Sequence, residues 1–280
     1  MTIKIVTDST ADLPEAIVEK FMITVIPCYI NIDNQSYLDG KDITRKEFYE
    51  KLPTFNNHPT TSAPGIDSFI KIYQKLLNEG AEGVVSIHIS QSLSNVTNVA
   101  KLAAEAVDEK KVRVIDGGQI TLGTGLLVHA AAQAAIDGAD LPAIIKLLNQ
   151  KAKHTHSYAI LNTMEFLRRS GRVSWLAAGL GSLLDIKPML IMHAGKVKVE
   201  KIRTSNGALY RLIKLVEKLG PLEKIALVHT NALQKARDLQ KKANHLFPNK
   251  IAIWAEEVTP VIGAHVGPGA LGIVCITSNN

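Results

Sequence analysis

Apolar and polar positions along this chain follow two rhythms. Apolar runs at residues 3–6, 24–32, 83–89 and 112–115 have the length and β-branched content of strands. Between and after them, apolar residues recur at helical spacing over 16–21, 65–77, 96–107, 126–136 and 141–153. Strands alternating with helices predict an α/β fold whose mostly parallel, doubly wound sheet is covered on both faces. Asp12 is placed to cap the first helix, with Pro14 in its first turn. Residues 33–59 are polar and turn-rich, and Asp39-Gly40 is a turn signal.

The pattern changes near residue 157. Strands are expected at 158–161, 186–192, 196–201, 225–229, 251–254 and 272–277, with helices near 164–169, 176–184, 208–219 and 232–246. The two strands flanking Ala194-Gly195 read as a hairpin, which makes this second sheet mixed. The expected division is therefore 1–156, an N-terminal α/β domain, and 157–280, a C-terminal mixed α/β domain. No proline-rich linker or internal repeat marks the junction.

The chain has 280 residues, 46% apolar and 21% charged, so a packed core is expected and disorder is not. Lys+Arg minus Asp+Glu is 32 − 26 = +6. The cations are dispersed; the densest spots are Lys110-Lys111, Arg168-Arg169 and Lys241-Lys242. No arginine-rich arm or basic helix with interleaved aromatics occurs, so nucleic acid is not an expected partner. Solvated helix faces account for most of the lysines. The mild positive field would still favour transient contact with an anionic membrane surface or an acidic partner. Cys28 and Cys275 lie far apart, outside any metal-ligand or redox spacing, and read as core side chains. The chain opens directly on a strand pattern with no signal peptide, and its most apolar stretch, 122–136, is short of a membrane span and carries His129 and Gln133. A cytoplasmic location is expected.

Gly267-Pro268-Gly269-Ala270-Leu271-Gly272 fits G-x-G-x-x-G, but a dinucleotide site needs a strand before it, a helix after it and an acid about 20 residues on. Only eight residues remain, so a tight turn is expected instead. No P-loop or G-x-S-x-G elbow is present. His154-Thr155-His156 has no acidic or cysteine partners in sequence, so no metal is expected, and His88 reads as a satisfied core residue.

Three loops that precede helices are rich in hydroxyls: Ser9-Thr10, Thr60-Thr61-Ser62 and Ser90 through Ser94. Ligands of doubly wound sheets lie beyond the strand carboxyl ends, where helix N-termini favour an anion. Each loop singly is also an ordinary cap or turn. The second half adds Arg169, Arg172 and Arg203, each of which also reads as a helix-end cap or surface partner, and a switchable group, His265. Residue chemistry alone leads to an α/β protein with a small-anion site, and no further.

The order of motifs adds to this. Thr7-Asp8-Ser9-Thr10-Ala11-Asp12-Leu13-Pro14 is followed by Thr61-Ser62-Ala63-Pro64, Ser92-Leu93-Ser94, and Val114-Ile115-Asp116 before Gly123 and Gly125. Residues 167–173, Ile186-Lys187-Pro188, Arg203-Thr204 and 265–269 complete the series. Over essentially its whole length the chain resembles the DegV family of bacterial fatty-acid-binding proteins. The resemblance implies two α/β domains with a long-chain fatty acid, such as palmitate, between them. It implies a lipid-carrying subunit without an ATP site of its own, serving a separate fatty acid kinase that converts the acid to an acyl phosphate. By the same resemblance Thr61, Ser62 and Ser94 bind the carboxylate with His265 nearby, and Asp39, Arg172 and Arg203 serve the kinase or phosphoryl transfer. No metal or cofactor is implied; the fatty acid is the bound ligand. One position departs: Asn95-Val96-Thr97 stands where the family has glycine then threonine, so Asn95 either crowds the carboxylate or adds an amide donor to it.

Burying an acyl chain yields roughly 0.8 kcal/mol per CH₂, so about 15 methylenes offer about 12 kcal/mol gross, reduced by the costs of association. The small residues of 176–181 read either as room for such a chain or as close helix–sheet packing. The rival function is a serine-dependent hydrolase or acyltransferase, which requires a base oriented on one of the loop serines; a DNA-binding regulator rests on the +6 charge alone.

Overall fold

The structure, a computed structural model, describes residues 2–172, 186–247 and 254–278. The first half contains β1 (Ile3–Asp8), α1 (Glu15–Lys20), β2 (Thr24–Ile26), β3 (Tyr29–Ile32), β4 (Gln35–Leu38), α2 (Arg45–Lys51), β5 (Thr60–Ser62), α3 (Ile66–Asn78), β6 (Gly83–His88), α4 (Val96–Val107), β7 (Val112–Asp116), α5 (Leu122–Ile136) and α6 (Leu141–His154). The second contains β8 (Thr155–Ile160), α7 (Glu165–Arg169), β9 (Lys187–His193), β10 (Lys196–Ile202), α8 (Ser205–Glu217), β11 (Leu222–His229), α9 (Leu233–Lys242), β12 (Trp254–Glu257), α10 (Pro260–Val266) and β13 (Leu271–Thr277).

The N-terminal sheet is parallel, in the order β2-β1-β6-β7. Alternation along β1 divides its side chains between two faces, as a strand buried on both sides requires. Ile3 and Ile5 pack with Leu127, Ile144 and Leu148 of α5 and α6. Val6 joins Phe69, Tyr73, Ala100 and Ala103 of α3 and α4. The C-terminal sheet is mixed, in the order β10-β9-β8-β13-β11-β12. One face holds Tyr158, Ile273 and Cys275 against Leu212, Val216 and Leu239 of α8 and α9. On the other face Ser157, Ala159, Val228, Gly272 and Val274 line a cavity. One apolar cluster runs from Val6 and Ile26 of the first half to Val258 and Val274 of the second. Among the described residues no helix is long and apolar enough to cross a membrane.

Several elements differ from the pattern-based expectation. The run 24–32 is two strands, because Pro27 lacks the N–H a ladder needs. Beyond it the chain leaves the parallel sheet and builds a separate antiparallel one, β4-β3-β5. The polar stretch 33–59 contains β4 and α2, whose Thr44–Glu47 capping box satisfies its first turn. Thr60-Thr61-Ser62 is an edge strand rather than a loop. Asp12 does not cap α1: Pro14 holds that position, and Asp12 sits at φ 52° facing another part of the chain. Helix α5 starts four residues early and contains Gly123 and Gly125; a Cβ at 125 would meet the Ala11 carbonyl. Helix α10 was absent from the sequence pattern. The expected hairpin is β9–β10, closed by Ala194 and Gly195 at φ 48° and 74°. The expected helix 176–184, the small-residue run 176–181 and positions 251–253 of an expected strand lie outside the described residues.

Candidate functional site

The cavity between the two halves measures about 520 Å³, within the usual range for small-molecule sites. Its wall is mostly apolar, from Ile89, Leu161, Leu190, Met192, Val228, Val261 and Val274 among others. Polar side chains gather where β5, the loop before α4, and α10 converge. Thr61, Ser62, Ser94, Asn95, His265 and Arg172 all line the cavity.

Antiparallel pairing with Ile30 fixes Thr61 on β5. Its hydroxyl lies 2.8 Å from His265 Nε2, on α10 of the other half. His265 Nδ1 is buried without a hydrogen-bond partner. Burial, followed by the charges of Arg172 and His58, lowers the His265 pKa to about 4, so its ring is neutral at physiological pH. Ser94 closes a turn in which its N–H and that of Leu93 both donate to the Ser90 carbonyl. Asn95 makes no side-chain cap to α4; its amide oxygen accepts from Asn98 Nδ2 at 3.0 Å. That bond turns Asn95 along the helix. Arg172 donates to the Ser170 carbonyl at 3.0 Å and reaches the wall from the second half.

Two expected residues are not on the wall. Arg203 is exposed at the bend between β10 and α8. Asp39 is buried behind the cavity, where burial pushes its carboxyl up to about 6 against the pull of Ser9, Arg45 and Thr259. Neither Asp39 oxygen completes a hydrogen bond of good geometry. Beside it Asp12 is pushed up to about 8 by burial, although Arg45 lies 3.3 Å away and the Thr259 N–H donates to it at 2.8 Å.

The structure also brings Thr10, Thr121, His229 and Thr230 to the wall. Thr10 belongs to a flagged hydroxyl loop. His229 and Thr230 end a strand and carried no local signal. Thr121 adopts φ 52°, unusual for a β-branched residue, and only the glycines around it hinted at an irregular backbone. The glycine-rich segment after α10 is a turn, with Gly267 and Gly269 at φ 74° and 85° and Phe166 packed where a Gly267 side chain would lie. His156 stacks on His193 with ring centroids 4.1 Å apart. No group of three or more His, Cys, Asp or Glu among the described residues is arranged to hold a metal ion.

A family model described as an uncharacterised protein of the DegV family matches residues 2–278. The chain belongs to the DegV family. A DegV domain-containing protein of Listeria innocua is 34% identical over 275 residues, 97% of either chain. Among solved DegV structures, one from Thermus thermophilus, described by its fatty acid binding, superposes with a TM-score of 0.91 at 30% identity, covering 99% of this chain and all of that one. DegV of Bacillus subtilis, described as a fatty acid binding protein, gives 0.88 at 31% identity, with 99% and 100% covered.

Proposed function

We propose that this DegV protein holds one long-chain fatty acid, with its tail along the apolar wall and its carboxylate at Thr61, Ser62, Ser94 and His265. The observation that carries this reading is the Thr61–His265 pair: a neutral imidazole bonded to a hydroxyl where three polar segments converge on a mostly apolar wall. With the ring proton on Nε2, His265 donates to the Thr61 oxygen and leaves the Thr61 O–H free to donate to a carboxylate. Arg172 supplies positive charge nearby. The relatives described as fatty acid binding support the same ligand class.

In this reading the protein is a carrier whose cavity spans two domains, 1–156 and 157–280, meeting just after β8 begins. It presents the carboxylate to a separate ATP-dependent fatty acid kinase, and its net charge favours brief contact with an anionic membrane. Arg172 beside the carboxylate and exposed Arg203 are the cations available to the partner and to phosphoryl charge. Asp39 acts indirectly, from behind the wall. Native mass spectrometry of protein purified from cells tests the ligand: a bound fatty acid mass is expected, and a nucleotide or sugar phosphate instead would overturn the assignment.

A further inference from the structure

Helix α10, which carries His265, has only seven residues, too few to hold itself in place. Thr259, its N-cap residue, provides no side-chain cap. The segment leading into it is instead gripped from the first half. The Glu257 carbonyl accepts from the Arg45 guanidinium, the Val258 carbonyl accepts from Tyr49 O–H at 3.0 Å, and the Thr259 N–H donates to Asp12. These are three successive residues, each bonded to a side chain more than 200 positions away in sequence. Arg45 also lies 3.3 Å from Asp12, joining two of the three grips. Farther along α10, Gly263 leaves room for the Tyr49 ring; any side chain there would run into it.

The gripping helix is itself firmly anchored. Its capping box satisfies its first turn, and Phe48 is fully buried in the main apolar cluster. Neither Arg45 nor Tyr49 is on the cavity wall.

We propose that α2 is the positioning element of the carboxylate site, with Arg45 and Tyr49 setting the height and rotation of α10 so that His265 meets Thr61. This rests on the fatty acid reading for its consequence, though not for its geometry. The two residues touch no ligand; they act through His265. The ligand-free protein carries a signature of the arrangement in the His265 imidazole, whose nitrogen shifts report its tautomer and its bond to Thr61.

Tyr49→Phe removes one hydroxyl and keeps the ring against Gly263. Palmitate affinity is expected to fall about fivefold, the weight of one net hydrogen bond, and the His265 imidazole nitrogen resonances of the ligand-free protein to move. Arg45→Met should do the same, and Arg45→Lys should restore part of the effect. Lower melting temperatures with unchanged His265 resonances in both Tyr49→Phe and Arg45→Met would overturn the proposal, since α2 would then merely stabilise. Wild-type protein that fails to bind palmitate would sink the fatty acid reading instead, while the His265 resonances would still decide the positioning role.

Discussion

His88 Nδ1 lies 2.9 Å from Asp8 Oδ2, and its other ring nitrogen lies 2.7 Å from Ser86 Oγ. Serine, histidine and acid thus stand in the order that nucleophilic catalysis uses. All three side chains are completely buried, and none is on the cavity wall. Tyr73 also donates to Ser86 at 2.8 Å. This is a satisfied internal chain that ties the carboxyl ends of β1 and β6 together, beneath two of the hydroxyl-rich loops. A fluorophosphonate probe is therefore expected to leave Ser86 unlabelled, and Ser86→Ala to leave palmitate retention unchanged. Labelling at Ser86 would favour a serine-dependent hydrolase acting through a strand serine rather than one of the loop serines. Asp8→Ala, which strands buried His88, should cost about 3–5 kcal/mol in denaturant unfolding.

The proposed carboxylate cradle makes a separate prediction. Thr61→Val and Ser94→Ala each remove a hydroxyl from the polar part of the wall. A hydrogen bond to a charged group is worth about 1.5–3 kcal/mol, so each change should weaken fatty acid binding by about ten- to a hundredfold. The fold should persist, because neither side chain belongs to a core cluster. Calorimetric titration with palmitate provides the check. An unaffected double variant would place the carboxylate elsewhere.

The parallel sheet was legible in the sequence because β1, β6 and β7 are short β-branched runs separated by strongly periodic helices. Thr61, Ser94 and His265 were legible as motif residues, and they converge on one cavity. Other features were hidden for physical reasons. Helix α2 is too short and too polar on its outer face to show a strong period. Asp12 resembled a local cap because the distant Thr259 amide it binds is invisible to spacing. Glycines 123 and 125 precede the expected helix 126–136, whereas they lie inside the helix and pack closely on Ser157 and Ala11. Burial also separates Asp39 from Arg203, which the family resemblance grouped together as partner-facing.

Arg172 and Arg203 should now separate experimentally. Arg172 lines the cavity and its charge helps keep His265 neutral. Arg172→Ala should weaken palmitate binding and raise the His265 pKa above about 4, measurable by NMR titration. Exposed Arg203→Ala should retain lipid fully while losing acyl-phosphate formation with a cognate kinase and ATP. Equal lipid loss in both variants would contradict this placement.

Gly267 ends α10 at φ 74°, with the Phe166 ring filling the space beside it. Gly267→Ala should cost at least 1–3 kcal/mol through backbone strain alone, with more from the displaced ring. Because His265 is two residues away, palmitate affinity should fall along with the melting temperature. A variant with wild-type stability would show that the turn relaxes freely.

The buried Asp12 carboxyl makes stability depend on pH in a definite direction. Burial is the leading cause of its rise to about 8, with neighbouring Asp39 and Glu256 adding to it and Arg45 opposing. An unfolded aspartate titrates near 3.9, so folding takes up a proton between about pH 4 and pH 8. The contribution is fully present below pH 4, falls as pH rises through 8 and is constant beyond. Asp39, raised to about 6, acts in the same sense over a narrower window. His265, His58 and His229 act oppositely: their lowered values remove stability as pH falls below about 6.5. Wild-type melting curves alone therefore mix two trends. Asp12→Asn keeps an oxygen for the Thr259 amide and removes the titrating group. The difference in melting temperature, Asp12→Asn minus wild type, should rise steadily from pH 5 to pH 8 and level off above. Parallel curves across that range would show that Arg45 holds Asp12 ionised, and that the grip on α10 is an ordinary ion pair.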